Sequence, residues 1–426
     1  MSWLVTAVLL FLCLPAWGQV ELSGALGWGG KAVAGRVNPL WVTLYNRGTA
    51  ARGQLVVAQQ VGSGWRGTAQ WSLSLPALLA PGGRASFRIP WPVERGVRRV
   101  ELEFRSGGAT LGASQLTVDL VATPLAGAVG PPGQLVLPLE ELDDPLLLSP
   151  LAELVVNRPD TLPSGVEAAL STWRAYLGGT VVGGETGWQM SWPPAQDLAA
   201  AVLRAPAPRP PLALLVLGTT AYLLAIGFAL PPLAREGQPA RTATLILVSC
   251  GLALSIPVLY EPPQPFIAYQ WTITAPGATR YSLDLLALAG TQAGQWQGEG
   301  RWLACLPAGD GTWAGQDIAW ELGPSGWITR VFLELGEARV MWRLADTSQG
   351  AAERGQTYRV TAAGALIRAE DGATAPPERM FAPGLLPVWK GVRATLTEGD
   401  LVTVAHGVVS RGQERRHWFQ LRVEAQ

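Results

Sequence analysis

Residues 210–234 read PPLALLVLGTTAYLLAIGFALPPLA, 25 residues without a charge between Arg209 and Arg235. Residues 242–260 read TATLILVSCGLALSIPVLY, 19 more between Arg241 and Glu261. A helix needs roughly 20 apolar residues to cross a hydrocarbon core about 30 Å thick. Both runs are long enough, the second only just, and REGQPAR joins them as a short turn. The expectation is a two-helix transmembrane hairpin, with spans at 211–232 and 242–260 and a cytoplasmic turn at 233–241. Its membrane anchors would be Leu212, Leu214, Leu215, Tyr222, Ile226, Leu245, Ile246, Leu252 and Tyr260, the last as an interfacial aromatic. The competing reading is a buried helix pair, although core helices seldom run this long without a charge.

The amino terminus supplies the orientation. Leu4–Leu14 has the length of a signal h-region, and Pro15 then Ala16-Trp17-Gly18 follow as a small-residue cleavage pattern. Residues 1–18 are therefore expected to be a signal peptide, with a retained anchor as the runner-up. Either way, the large segments before and after the apolar runs are expected outside the cytoplasmic membrane. Arg235 and Arg241 in the turn agree with the positive-inside tendency.

Composition narrows the function classes. The 426 residues suggest about three domains. Lys+Arg and Asp+Glu each number 32, so no net charge points to nucleic acid. Cys13, Cys250 and Cys305 are the three cysteines; the first two fall in apolar runs, which excludes a disulfide framework and a paired-cysteine zinc site. Nineteen tryptophans suit β-sheet cores and membrane interfaces alike.

Residues 19–122 carry short alternating runs at intervals of about ten residues. In PLWVTLYN, Leu40, Val42 and Leu44 share one face while Trp41, Thr43 and Tyr45 share the other. Asn46-Arg47-Gly48, Pro81-Gly82-Gly83 and Ser106-Gly107-Gly108 are turn signals between runs. Seven such strands predict an immunoglobulin-like β-sandwich. VNPLWVTLYNRGTAARGQLVV resembles the adhesion-type sandwiches of bacterial surface proteins, which implies a spacer or binding module.

Residues 123–204 change character. LAELVVN (Leu151–Asn157) reads as a strand, and Ser164 with Glu167 has capping-box spacing. Val166, Ala169, Leu170, Trp173 and Leu177 form one apolar helical stripe, closed by Gly178-Gly179. Thr180-Val181-Val182 begins the next strand, so the expectation is a small flavodoxin-like α/β segment. AALSTWRAYLGGTVVGGE (Ala168–Glu185) resembles class I glutamine amidotransferase-like domains of bacterial membrane-anchored envelope proteins. In those, a signal peptide, a sandwich, this domain and a membrane segment occur in that order. Active members use a cysteine nucleophile with a histidine and a carboxylate; residues 123–200 contain neither cysteine nor histidine. What the resemblance implies here is a degenerate, non-catalytic segment.

Two weaker motifs lie in this part. Glu140, Glu141, Asp143 and Asp144 form an acidic cluster without the spacing of a cation cage, and are read as solvated. Gly183–Gly187 follows a strand but precedes no Lys-Ser/Thr pair. APAPRP then leads out as a stiff proline-rich linker at 205–210.

Strand signals return through 261–426, among them FIAYQWTIT, YSLDLLAL, ARVMWRL, LVTVAHGVV and WFQLRVE. The expectation is a second β-rich domain, a sandwich or barrel. Both histidines of the chain, His406 and His417, flank one turn there and are weak metal candidates, lacking a third ligand. Cys305 is read as a buried thiol, and Gly309–Ala314 as no dinucleotide loop. No cofactor is expected.

The whole reads as a multidomain, mainly β, non-catalytic envelope protein. It would be a scaffold or binding module, with the lipid bilayer, another envelope protein or a cell-wall glycan as partner. An envelope hydrolase or transferase, or a subunit of a larger membrane complex, are the alternatives.

Overall fold

The computed structural model describes residues 19–64, 67–129, 135–156, 162–182, 188–203, 220, 264–276, 280–304, 317–347, 355–362, 365–375, 386–411 and 414–424. The chain is mainly β, with three α-helices and a short 3-10 helix (Leu139–Glu141) among these residues. Residues Met1–Leu203 with Phe266–Gln426 cluster as one compact unit, and Arg204–Pro265 as another.

The amino-terminal strands are β1 (Val20–Leu26), β2 (Lys31–Val33), β3 (Arg36–Asn46), β4 (Ala51–Gly64), β5 (Gly67–Leu79), β6 (Arg84–Val93), β7 (Arg99–Ser106), β8 (Ala109–Thr117) and β9 (Asp119–Val121). β1, β3 and β6 form one antiparallel sheet, and β5, β4, β7 and β8 run side by side in another. Alternation decides which face each strand buries: Leu40, Val42 and Leu44 of β3 are at most 1% exposed. The β7–β8 hairpin turns at Gly107 and Gly108, whose φ of 56° and 86° suit a tight turn that side chains would strain. Asn46 holds the β3 end, donating to the Thr49 and Ala80 carbonyls at 2.7 and 3.0 Å.

An α/β segment follows: β10 (Leu125–Val129), β11 (Leu135–Val136), β12 (Leu151–Val156), α1 (Ser164–Leu177), β13 (Thr180–Val182) and α2 (Ala195–Leu203). Its four strands pair in parallel in the order β11-β10-β12-β13. The stripe Val166, Ala169, Leu170, Trp173 and Leu177 is buried, and Gly178 ends α1 in the left-handed conformation at φ 72°. The capping box does not form. Pro163 occupies the N-cap and Ser164 is already helical, so its hydroxyl does not cap the helix. Trp28 Nε1 donates to the Leu147 carbonyl at 2.9 Å, and Arg36 Nη1 to those of Ser149 and Leu177 at 3.2 and 3.4 Å. These contacts tie the sandwich to the α/β segment.

The later elements are β14 (Phe266–Thr274), β15 (Tyr281–Gly290), β16 (Gly294–Glu299), β17 (Ile318–Gly323), β18 (Gly326–Leu333), β19 (Ala338–Asp346), β20 (Gln356–Val360), β21 (Leu366–Arg368), β22 (Thr374–Ala375), α3 (Leu386–Arg393), β23 (Leu401–Arg411) and β24 (Glu414–Glu424). They do not form a self-contained sandwich or barrel. β16, β18 and β17 extend the amino-terminal sheet, giving the order β16-β18-β17-β5-β4-β7-β8. The remaining strands make an open sheet, β19-β15-β14-β24-β23-β20-β21-β22. The physical reason lies at β5, whose outer edge presents unpaired backbone groups that a strand from anywhere in the chain can satisfy. β17 does so in parallel register, Ile318 opposite Trp71 and Glu321 opposite Ser74. Trp320 then packs edge-on against Trp71 and Trp91, at centroid distances of 6.2 and 5.9 Å.

The expected two-helix transmembrane hairpin is corrected. Among the described residues, no helix is long and apolar enough to cross a membrane. An uncharged apolar run measures a demand for burial, and the sequence pattern does not say which surroundings meet it. The anchor residues Leu212, Leu214, Leu215, Tyr222, Ile226, Leu245, Ile246, Leu252 and Tyr260 lie outside the described residues, as does the signal segment.

Candidate functional site

Period-two alternation gives the open sheet two unlike faces. On one, Tyr269, Trp271, Ile273, Leu285, Trp342, Phe419 and Leu421 are buried. Helix α2 packs there against β15 and β19, and α3 packs against α2. Trp192 meets Trp342 edge-on at 5.7 Å. Tyr176 of α1 reaches the sheet end, where its hydroxyl accepts from the Ala275 N–H at 2.8 Å and lies 3.1 Å from the Ile273 carbonyl. Burial raises its pKa well above the ordinary phenol.

The opposite face is polar at its Thr272–Thr274 end, where it walls a cleft of about 1230 Å³. One cross-strand row runs Gln420, Thr272, Asp284, Arg343. Thr274 and Arg422 form the next pair. Pro90 of β6, Asp144 and Leu146, and Gly300, Arg301 and Trp327 close the cleft from the other side. Both chain segments that flank 204–265 therefore contribute walls.

Most of the charged groups here are tied down. Asp284, whose side chain is 3% exposed, accepts from the Thr272 hydroxyl at 2.7 Å and from Arg343 Nε at 2.9 Å. Arg343 also donates to the Glu299 carbonyl at 2.9 Å, and its guanidinium lies 4.4 Å from the Trp302 ring centre. Arg422 pairs with Glu424 at 3.2 Å.

Two groups are less committed. The Arg301 guanidinium lies deep in the wall, although the residue keeps some solvent contact along the cleft. It donates through Nη2 to the Pro90 carbonyl and sits 5.1 Å from the Trp327 ring centre. Its Nε is buried without a partner. Burial lowers its pKa to about 10, against the pull of Asp144, so it stays charged at neutral pH. Asp144 accepts the Leu146 N–H at 2.9 Å through Oδ1. Burial raises its pKa, outweighing that bond and the attraction of Arg301 and Arg88.

The acidic cluster is thus divided. Asp143 faces outward and pairs with Arg88 at 2.6 Å, while Asp144 turns into the cleft. Sequence reasoning took all four acids as solvated and missed Arg301 altogether; no local motif marks either residue. His406 and His417 lie elsewhere, on the aromatic face. His417 stacks on Tyr269 at 4.8 Å, and His406 lies 6.3 Å from Phe419. Burial, then the charge of Arg415, lowers the His417 pKa. Among the described residues no group of three or more His, Cys, Asp or Glu is placed to hold a metal ion. Cys305, Gly183–Gly187 and Gly309–Ala314 lie outside the described residues.

Residues 19–119 match the model of a family described as a domain of unknown function, DUF8726. No curated protein matches the chain. The solution structure of R. palustris CsgH is similar over 24% of this chain and 93% of its own, at 15% identity and a TM-score of 0.17. Pseudomonas fluorescens alkylpurine DNA glycosylase AlkC, bound to DNA containing an abasic site analog, is similar over 24% of this chain and 30% of its own, at 12% identity and a TM-score of 0.17. At such scores neither likeness bears on fold or function.

Proposed function

We propose that this chain is a non-catalytic, extracytoplasmic binding module whose ligand seats in the cleft between the sandwich and the open sheet. One observation supports this most: the buried carboxylate of Asp284 is held by Thr272 and Arg343, which suits recognition better than proton transfer. The export reading rests on the Leu4–Leu14 run and the Ala16-Trp17-Gly18 pattern.

Fractionating the native cell and purifying the tagged full-length chain, with its partners identified, tests both parts. An envelope fraction and a co-purifying envelope component are the expected result. Recovery in the cytosol, or turnover of glycoside and ester substrates, would overturn the proposal. The second reading, an envelope hydrolase, is favoured by one feature, the raised carboxyl of Asp144 facing the cleft, as a general acid requires. Its signature would be turnover abolished by Asp144→Asn.

A further inference from the structure

We infer that the cleft takes a neutral oligosaccharide, read by Arg301 and Asp144 acting as a separated donor and acceptor. The inference rests on the binding-module reading above and names its ligand class.

Charge comes first. Arg301, Arg343 and Arg422 face Asp144, Asp284, Asp346 and Glu424 around the cleft, so cations do not outnumber anions. A polyphosphate, nucleic acid or acidic glycan would meet no net attraction there.

The hydrogen-bonding surface comes second. An extended peptide pairs with the open edge of a sheet, through main-chain groups. Here the wall is a sheet face lined by the side-chain amides and hydroxyls of Gln270, Gln420, Thr272, Thr274 and Ser282, of which Thr272 already donates to Asp284 and Gln270 accepts from Arg416. Such groups both donate and accept, as sugar hydroxyls do.

The third observation is the pair itself. Among the described residues, Arg301 Nη1 and Asp144 Oδ2 take no hydrogen-bond partner, while the rest of each side chain is held by Pro90 and Leu146. Both side chains line the cleft, and no ion pair joins them. A donor and an acceptor lining one cleft can both serve the hydroxyls of one sugar chain, each of which can play either role. Size agrees with a chain rather than one ring: about 1230 Å³ exceeds the roughly 300–1,000 Å³ usual for a small-molecule pocket.

Calorimetric titration of the purified full chain with cellohexaose, chitohexaose, an oligogalacturonate and an unstructured Gly/Ser peptide tests the inference. At least one neutral hexamer should bind. Arg301→Met and Asp144→Asn should each weaken it about tenfold or more, the loss expected for a charged hydrogen bond. Arg301→Lys should recover part of the affinity, and Arg330→Gln, on the outer sheet face, should change nothing. A melting temperature for Asp144→Asn no lower than the parent's excludes unfolding as the cause. Failure of both neutral hexamers to bind, preference for the oligogalacturonate or peptide, or indifference to Asp144→Asn and Arg301→Met would each overturn the inference. A protein partner recovered without glycan binding would leave the binding-module reading standing. Cleavage of a bound hexamer would instead remove the non-catalytic reading and keep the ligand class.

Discussion

Asp144 shows how one side chain can cost stability at a site. Its folded-state pKa is raised, chiefly by burial, so the folded protein holds the proton more tightly than the unfolded chain. The sign follows: stability is greatest below the unfolded value and falls as pH rises through the folded value. Asp144→Asn should therefore melt higher than the parent at neutral pH, with the gap closing towards pH 3; equal curves at every pH would refute this. Asp284 is the reverse case, a nearly buried carboxylate made tolerable by Thr272 and Arg343. Arg343→Met strands that charge and should cost roughly 2–3 kcal/mol in urea unfolding, discounted slightly because Arg343 keeps solvent contact. Adding Asp284→Asn should recover much of the loss.

At the scale of elements, α1 and β17 each join parts of the chain that are far apart in sequence. α1 carries Tyr176 in its last turn, and the Tyr176 hydroxyl is the acceptor for the buried N–H of Ala275. Tyr176→Phe should leave that donor unsatisfied and cost about 1–3 kcal/mol, measured by chemical denaturation. Retention of full stability would mean that the helix docks by shape alone. β17 carries Trp320 into the sandwich core, where its Nε1 also donates to the Trp302 carbonyl at 2.6 Å. Trp320→Ala should cost about 3–5 kcal/mol, the range for emptying a large buried aromatic site.

For the whole molecule, the shared sheet has a consequence for cooperativity. If the two β regions were independent, heating would melt them in two steps. With β17 paired to β5, they should instead unfold in one transition, and Trp320→Ala should be the variant that splits it. Differential scanning calorimetry reads this directly. Two transitions in the parent protein would show that the β5–β17 pairing adds little.

Local pattern was sufficient for some features and silent on others. The two-residue alternation in PLWVTLYN assigns Leu40, Val42 and Leu44 to one face, because strand geometry leaves no other choice. The stripe from Val166 to Leu177 likewise prescribes which side of α1 is buried. Which edge β17 would join was not legible, since any unpaired strand edge satisfies its backbone equally well. The apolar runs at 211–260 expressed only a need for burial. The cleft was hidden for a similar reason: Asp144 and Arg301 are 157 positions apart in sequence, and their environment exists only after distant segments pack. By itself the sequence determined a mainly β chain and the inward face of several elements, because side-chain periodicity is local. Tertiary structure alone decided the shared sheet and the placement of Arg301 and Asp144 on one cleft, because burial depends on what long-range packing brings together.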